Sequence, residues 1–212
     1  YDLNTFTTDE AVIPTRGGDW YDGGLWQDVF LHKWGTKNDL VKGSWDYLYR
    51  VIAQANKSLD KLNEILATDP ENTSVPKYIS EVRAFRALYY YYLLDMFALV
   101  PLVTSSTTAM ADVEQSERSV VFTFVKTELE ESVADLSDAH SNLPGEYYGR
   151  ITKPVAYFLL AKLALNAEIY TDDNWTDGSK PDGKTIKFTV DGAEKNAWEA
   201  TIAYGTKIKE LG

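Results

Sequence analysis

The chain has 212 residues, 44% of them hydrophobic and 25% charged, the proportions of an ordinary globular protein long enough to bury a full core without staples. With no cysteine it has neither a disulfide framework nor a thiolate metal site. A net charge of −11 sets it against phosphate backbones, so nucleic acid is excluded as a partner, whereas a neutral ligand such as a sugar is not opposed.

Aromatic residues are the compositional outlier at 13%, with 6 Trp and 14 Tyr. These side chains join a flat apolar face to a polar tip and serve equally as core or as binding surface. No stretch reaches the roughly 20 apolar residues that a membrane-spanning helix needs. The most apolar window, 84–103, is interrupted by Arg86 and Asp95 and closed by Pro101.

Residues 1–42 lack sustained helical periodicity and hold Gly17, Gly18, Gly23, Gly24, Gly35 and Pro14, which predicts a long ordered loop region with a short helical turn near 26–31. Trp20, Tyr21, Trp26, Phe30 and Trp34 argue against disorder there. From Gly43 the pattern changes. With Ser44 as N-cap, Trp45, Leu48, Tyr49, Ile52, Leu59, Leu62 and Leu66 mark one face of an amphipathic helix that Asp69-Pro70 closes.

After a polar linker at 71–74, a second helix is expected over about 76–99, with Pro76 in its first turn. At about 100° per residue, Tyr89-Tyr90-Tyr91-Tyr92 covers most of its circumference, so it should be an inner helix packed on more than one flank. A connector at 104–117 leads to a third helix expected over 119–140, stopped by Asn142-Leu143-Pro144-Gly145. Thr152 and Pro154 open a fourth, running to Tyr170. A loop over 172–192 contains the alternating run 186–190, a short strand, and a last helix begins near Ala193.

The expected fold class is therefore all-α: antiparallel helix pairs stacked as a tetratricopeptide-like solenoid, preceded by the long N-terminal loop region, in one domain over 1–212. The thirty-four-residue repeat spacing is not kept.

Four segments together resemble the SusD/RagB family of glycan-capture lipoproteins. They are Thr8 to Gly24 with Trp26 and Trp34 after it; Trp45-Asp46-Tyr47-Leu48-Tyr49 with Ile52, Ala55 and Asn56; Glu81 to Tyr90 running on to Val100-Pro101-Leu102; and Gly149-Arg150-Ile151-Thr152 with Ala156, Leu160, Ala161, Lys162 and Leu165. Their order and spacing fit the N-terminal half of that family across residues 8–170. Ala98 departs from it, standing where such sequences carry glycine, an effect expected at a helix terminus. The resemblance implies a fragment of a longer, lipid-anchored protein on the outer face of an outer membrane, which captures glycan without cleaving it and hands it to a TonB-dependent, SusC-like transporter. No cofactor is implied.

Sugar rings present patches of C–H groups that stack on aromatic faces, and hydroxyls that need paired donors and acceptors. The 16–38 segment carries both chemistries on a loop, where binding residues concentrate. Trp20, Tyr21, Trp26 and Trp34 are the candidate stacking platforms, and Arg16, Asp19, Asp22 and Asn38 the candidate hydrogen-bonding groups. The competing reading is structural: Arg16 and Asp19 pair to pin the loop, and Trp20 plugs the core. Gly17, Gly18, Gly23 and Gly24 are expected to permit left-handed turns, with neither the strand nor the lysine of a phosphate-binding loop beside them.

Arg83 and Arg86 are expected in ion pairs with a neighbouring helix, and Arg150 is expected to fix its loop onto the fourth helix. Catalysis finds no support. The two histidines, His32 and His140, are far apart without a Cys or an evident Ser partner, and no recognisable hydrolase motif occurs. The acidic run 172–178 lacks the glutamate of a full calcium loop, since Lys184 occupies that position. An alternative function is a helical-repeat scaffold that binds protein alone, which predicts buried aromatics in the N-terminal loop.

Overall fold

The computed structural model describes residues 2–212. They form an all-α architecture: α1 (Asp2–Phe6), α2 (Leu25–Phe30), α3 (Asp39–Thr68), α4 (Val75–Phe97), α5 (Arg118–Ser132), α6 (Lys153–Leu165), α7 (Ala167–Tyr170) and α8 (Ala197–Leu211). Two antiparallel strand pairs decorate it, β1 (Val100–Pro101) with β2 (Gln115–Ser116) and β3 (Lys187–Val190) with β4 (Ala193–Asn196). The chain divides into two compact units, the first ending at Arg50 and the second comprising Val51–Gly212, so the boundary falls within α3.

In the first unit the N-terminal segment is more structured than its sequence predicts. It contains α1, a 3-10 turn at Asp22–Gly24 and α2. α3, the first of the helices expected from the sequence, begins at Asp39 rather than after Gly43, because the Asn38 side chain caps it, accepting from the backbone N–H of Leu40 at 3.0 Å and of Val41 at 3.3 Å. Ser44, the expected N-cap, lies inside the helix, more than a turn past its observed start.

In the second unit α4 packs on α5, and α6 on α8, while α5 and α4 also meet α6. This is the stacked-pair plan. α3 contributes Ile52, Ala55 and Leu59, all buried at helical steps. α4 is an inner helix, as expected: Ala84, Ala87, Tyr90, Tyr91, Leu93 and Leu94 are all buried, although of the tyrosine run Tyr89 is only half-buried and Tyr92 is exposed. Tyr90 meets the polar demand of its buried phenol by donating to the Val103 carbonyl and accepting from the Val103 N–H, both at 2.8 Å. Burial pushes its pKa up to about 12, against opposing effects of the Val103 bond and Arg86.

Charges hold α4 to α5. Arg86, 6% exposed, donates to Glu128 at 2.6 and 3.2 Å, to Asn56 Oδ1 at 2.8 Å and to the Thr104 carbonyl at 2.9 Å. Arg83 donates to the other Glu128 oxygen at 2.9 Å and to Glu131 at 2.5 Å. The expected interhelical ion pairs are thus present, and they converge on one buried carboxylate. Asn56 completes the network by donating to the Val103 carbonyl at 2.8 Å.

Several element ends differ from expectation. α4 ends at Ala98, whose φ of 61° lies in the left-handed region, the place where the resemblance expects glycine. A side chain there costs on the order of 1 kcal/mol. α5 stops at Ser132 and tightens into a 3-10 turn at Val133–Asp135 instead of running to His140, since Leu136 turns extended and is buried. The fourth helix breaks at Asn166, whose side chain donates back to the Lys162 carbonyl at 2.9 Å and competes with the helix ladder.

The segment 193–196, read from sequence as the start of the last helix, is instead β4. Asp191 and Gly192 have φ of 52° and 76°, the tight hairpin turn that an Asp-Gly pair favours, and they fold 193–196 back onto the strand foreseen at 186–190. The hairpin buries Phe188 against Phe122, with ring centres 5.9 Å apart. Asn196 then caps α8 in a reciprocal box with Glu199. No helix among the described residues is long and apolar enough to cross a membrane.

Candidate functional site

The candidate residues all lie in the first unit, where backbone geometry sets them. Arg16 and Asp19 do pin the loop, but through the main chain: each N–H donates to the other's carbonyl, at 3.1 and 3.0 Å. Gly17, at φ 62°, makes that tight reversal possible. No ion pair joins the Arg16 and Asp19 side chains among the described residues, so both remain exposed to solvent. Gly23 and Gly24 also have positive φ, as expected, whereas Gly18 does not.

Trp20 follows in a left-handed conformation, φ 61°, and is 55% exposed; it does not plug a core. Its ring centre lies 6.2 Å from that of Trp26, edge to face, and Trp26 in turn sits 5.4 Å from Phe6. The Trp26 indole N–H donates to Asp22 Oδ2 at 2.7 Å. Trp26 is therefore a half-buried strut, with Phe6 behind it and Trp20 beside it, and Asp22 sets the angle of its ring. Tyr21 is 57% exposed.

Trp34 stands apart from this cluster. It is 39% exposed, and its ring contacts His32 with centres 5.2 Å apart. His32 is itself left-handed, φ 55°, and its Nε2 lies 2.8 Å from the Thr7 carbonyl. The structure thus joins Trp20, Asp22 and Trp26, leaves Tyr21 and Trp34 as separate exposed rings, and commits the Asn38 oxygen to capping α3. Phe6 and His32 are supporting residues that sequence reasoning missed. Phe6 belongs to a five-residue helix with too little periodicity to register.

Other potential chemistry is sparse. Among the described residues no group of three or more His, Asp or Glu side chains could hold a metal ion. His140, in the second unit, has its Nε2 3.1 Å from the Leu211 carbonyl.

A family model described as starch-binding associating with outer membrane, SusD-like, matches residues 4–165. The chain belongs to the SusD/RagB family. A starch-binding protein SusD from Bacteroides thetaiotaomicron is 30% identical over 171 residues, covering 81% of this chain and 28% of that protein. A SusD-like protein from Bacteroides ovatus is 22% identical over 177 residues, covering 81% of this chain and 30% of that one. The chain therefore spans less than a third of the curated relatives it matches. Among solved structures, a surface glycan-binding protein A from Bacteroides uniformis superposes with a TM-score of 0.64 at 21% identity, covering 79% of this chain and 37% of that one. A laminarin-binding SusD-like protein superposes with a TM-score of 0.61 at 24% identity, covering 80% and 39%. These likenesses establish the tetratricopeptide-like helical fold of the SusD/RagB family.

Proposed function

We propose that this SusD/RagB chain is part of a protein that captures oligosaccharide or polysaccharide at the cell surface without cleaving it, and delivers it to a TonB-dependent, SusC-like transporter in the outer membrane. A lipid anchor would hold the protein there. The observation that carries the reading is the aromatic segment 16–38, in which Trp20, Tyr21 and Trp34 present their rings to solvent. A protein that used these residues only as core would bury them. Starch, laminarin and surface glycan appear in the names of the related proteins, which supports the same ligand class here.

The division of labour follows from the contacts. Trp20, Tyr21 and Trp34 are the stacking platforms, because each has a free face. Trp26 supports Trp20 and Asp22 orients Trp26, so these two act on the ligand chiefly through Trp20. Arg16 and Asp19 offer unpaired side chains on a pinned loop, suited to sugar hydroxyls. Asn38 fixes the start of α3, and its amide N–H groups are the part left for a ligand. Capture without cleavage is supported by the residue types of the site, which supply platforms and hydrogen-bonding groups and carry no recognisable hydrolase motif. The scaffold reading predicts these rings to be buried, whereas Trp20, Tyr21 and Trp34 are exposed.

Affinity electrophoresis of the protein at its natural length, in gels containing starch or laminarin, tests this reading. The protein should be retarded by at least one of these neutral glucans, and Trp20→Ala with Trp34→Ala should restore free migration. Equal retardation of wild type and double variant would remove the 16–38 segment from the binding site.

A further inference from the structure

The second unit contains a cavity of about 340 Å3 between the N-terminal turns of α4 and the 135–151 loop, a size suited to a small ligand. We propose that it is a separate saccharide pocket, taking one or two neutral sugar residues of a longer chain; the inference rests on the glycan-binding reading above and extends it to a second place on the molecule.

Its chemistry selects the ligand. Two tyrosines, Tyr78 and Tyr147, line it, and Tyr78 is 49% exposed. Arg150, on the same wall, forms a two-pronged pair with Glu81, Nε to Oε1 at 2.8 Å and a terminal nitrogen to Oε2 at 2.5 Å. The guanidinium also lies over the Tyr147 ring, 4.9 Å from its centre. These contacts fix Arg150 and Tyr147 before any ligand arrives, so little ordering cost remains for binding. Arg150 therefore does not anchor its loop to α6, the expected fourth helix; its partner Glu81 is on α4.

Lys77, Asp135 and Glu146 complete the wall, giving carboxylates and cations in nearly equal number. A phosphate or sulfate would meet three carboxylates, and a cationic ligand would meet Lys77 and Arg150. An apolar ligand would strip water from all of them. A neutral polyol suits the set, since its hydroxyls donate to carboxylates, accept from Lys77 and Arg150, and leave its C–H patches for the exposed Tyr78 ring, the Tyr147 face being covered by Arg150. Lys77 and the Tyr78 hydroxyl make no hydrogen bond within the described residues and are available to a ligand.

Hydrogen–deuterium exchange of the protein at its natural length, with and without millimolar maltoheptaose or laminarihexaose, reads both places at once. The pocket predicts slowed exchange over 137–151 with at least one of the two oligosaccharides, separate from any protection over 16–38. Tyr78→Ala should raise the concentration needed for half-maximal protection at 137–151 about tenfold. Since Tyr78 is half exposed, the fold should survive the change, and unaltered exchange of α5 in the free variant checks this. Protection confined to 16–38 would overturn the pocket while leaving the proposed function standing. Protection confined to 137–151 would support the pocket and overturn the aromatic loop as the platform. Protection at neither, with both sugars, would overturn both.

Discussion

Tyr90 shows how one side chain ties α4 to the segment that follows β1. Its hydroxyl both donates to and accepts from Val103, and burial holds the phenol neutral well past its ordinary value. Because its pKa is raised in the folded state, the folded protein keeps a proton that the unfolded chain loses, so stability is fully present below the ordinary pKa of 10.0 and falls as pH rises toward about 12. Burial raises the pKa of Tyr170 and Tyr204 in the same direction. Urea unfolding between those pH values should therefore show declining stability. Tyr90→Phe should flatten the decline and cost about 1–3 kcal/mol at neutral pH, since it leaves the Val103 N–H unsatisfied while the Val103 carbonyl keeps only its bond from Asn56. An unchanged pH slope would contradict this role. At this scale the sequence was partly legible. The tyrosine run announced buried rings, but the acceptor of a phenol is a long-range fact that no local pattern encodes.

At the scale of elements, the α4–α5 pair is held by charges as well as by apolar packing. Glu128 is 5% exposed and accepts from both Arg83 and Arg86. Removing it leaves Arg86 buried without its main partner, a loss of roughly 3–5 kcal/mol. Denaturant unfolding should show Glu128→Ala destabilised by that amount, while Glu128→Leu combined with Arg86→Met should recover most of it. A double variant no better than the single one would show that packing, not the stranded charge, sets the cost.

The arginines on α4 were readable as ion-pair partners because a charge on a helix apolar on nearly every side has to be neutralised. The end of α5 and the break at Asn166 were not, because both depend on what Leu136 and Asn166 meet in three dimensions. The hairpin at 187–196 carried a readable signal, the Asp191-Gly192 turn, masked by helix-compatible residues after it. Asn38 shows a related limit of local pattern. Sugar contacts and helix caps draw on the same residue types, and only the geometry reveals the cap.

Over the whole molecule, the helix-pair plan follows from apolar periodicity and stop signals, both of which are local, and family membership follows from the ordered motif segments. The candidate site was legible as composition but not as arrangement. Residue types alone could not separate Trp26, a strut hydrogen-bonded to Asp22, from Trp20 and Trp34, whose rings face solvent. Nor did any motif mark the Tyr78–Tyr147 cavity, which exists because Arg150 reaches across 69 residues of sequence to Glu81.

The central claim is that the 16–38 aromatics stack on glycan, and tryptophan fluorescence of the protein at its natural length, titrated with soluble starch and laminarin, tests it most directly. A saturable change with at least one glucan is predicted, weakened about tenfold or more, some 1.4 kcal/mol, in Trp34→Ala or Trp20→Ala. A saturable change of undiminished affinity in both variants, or no change with either glucan, would contradict it.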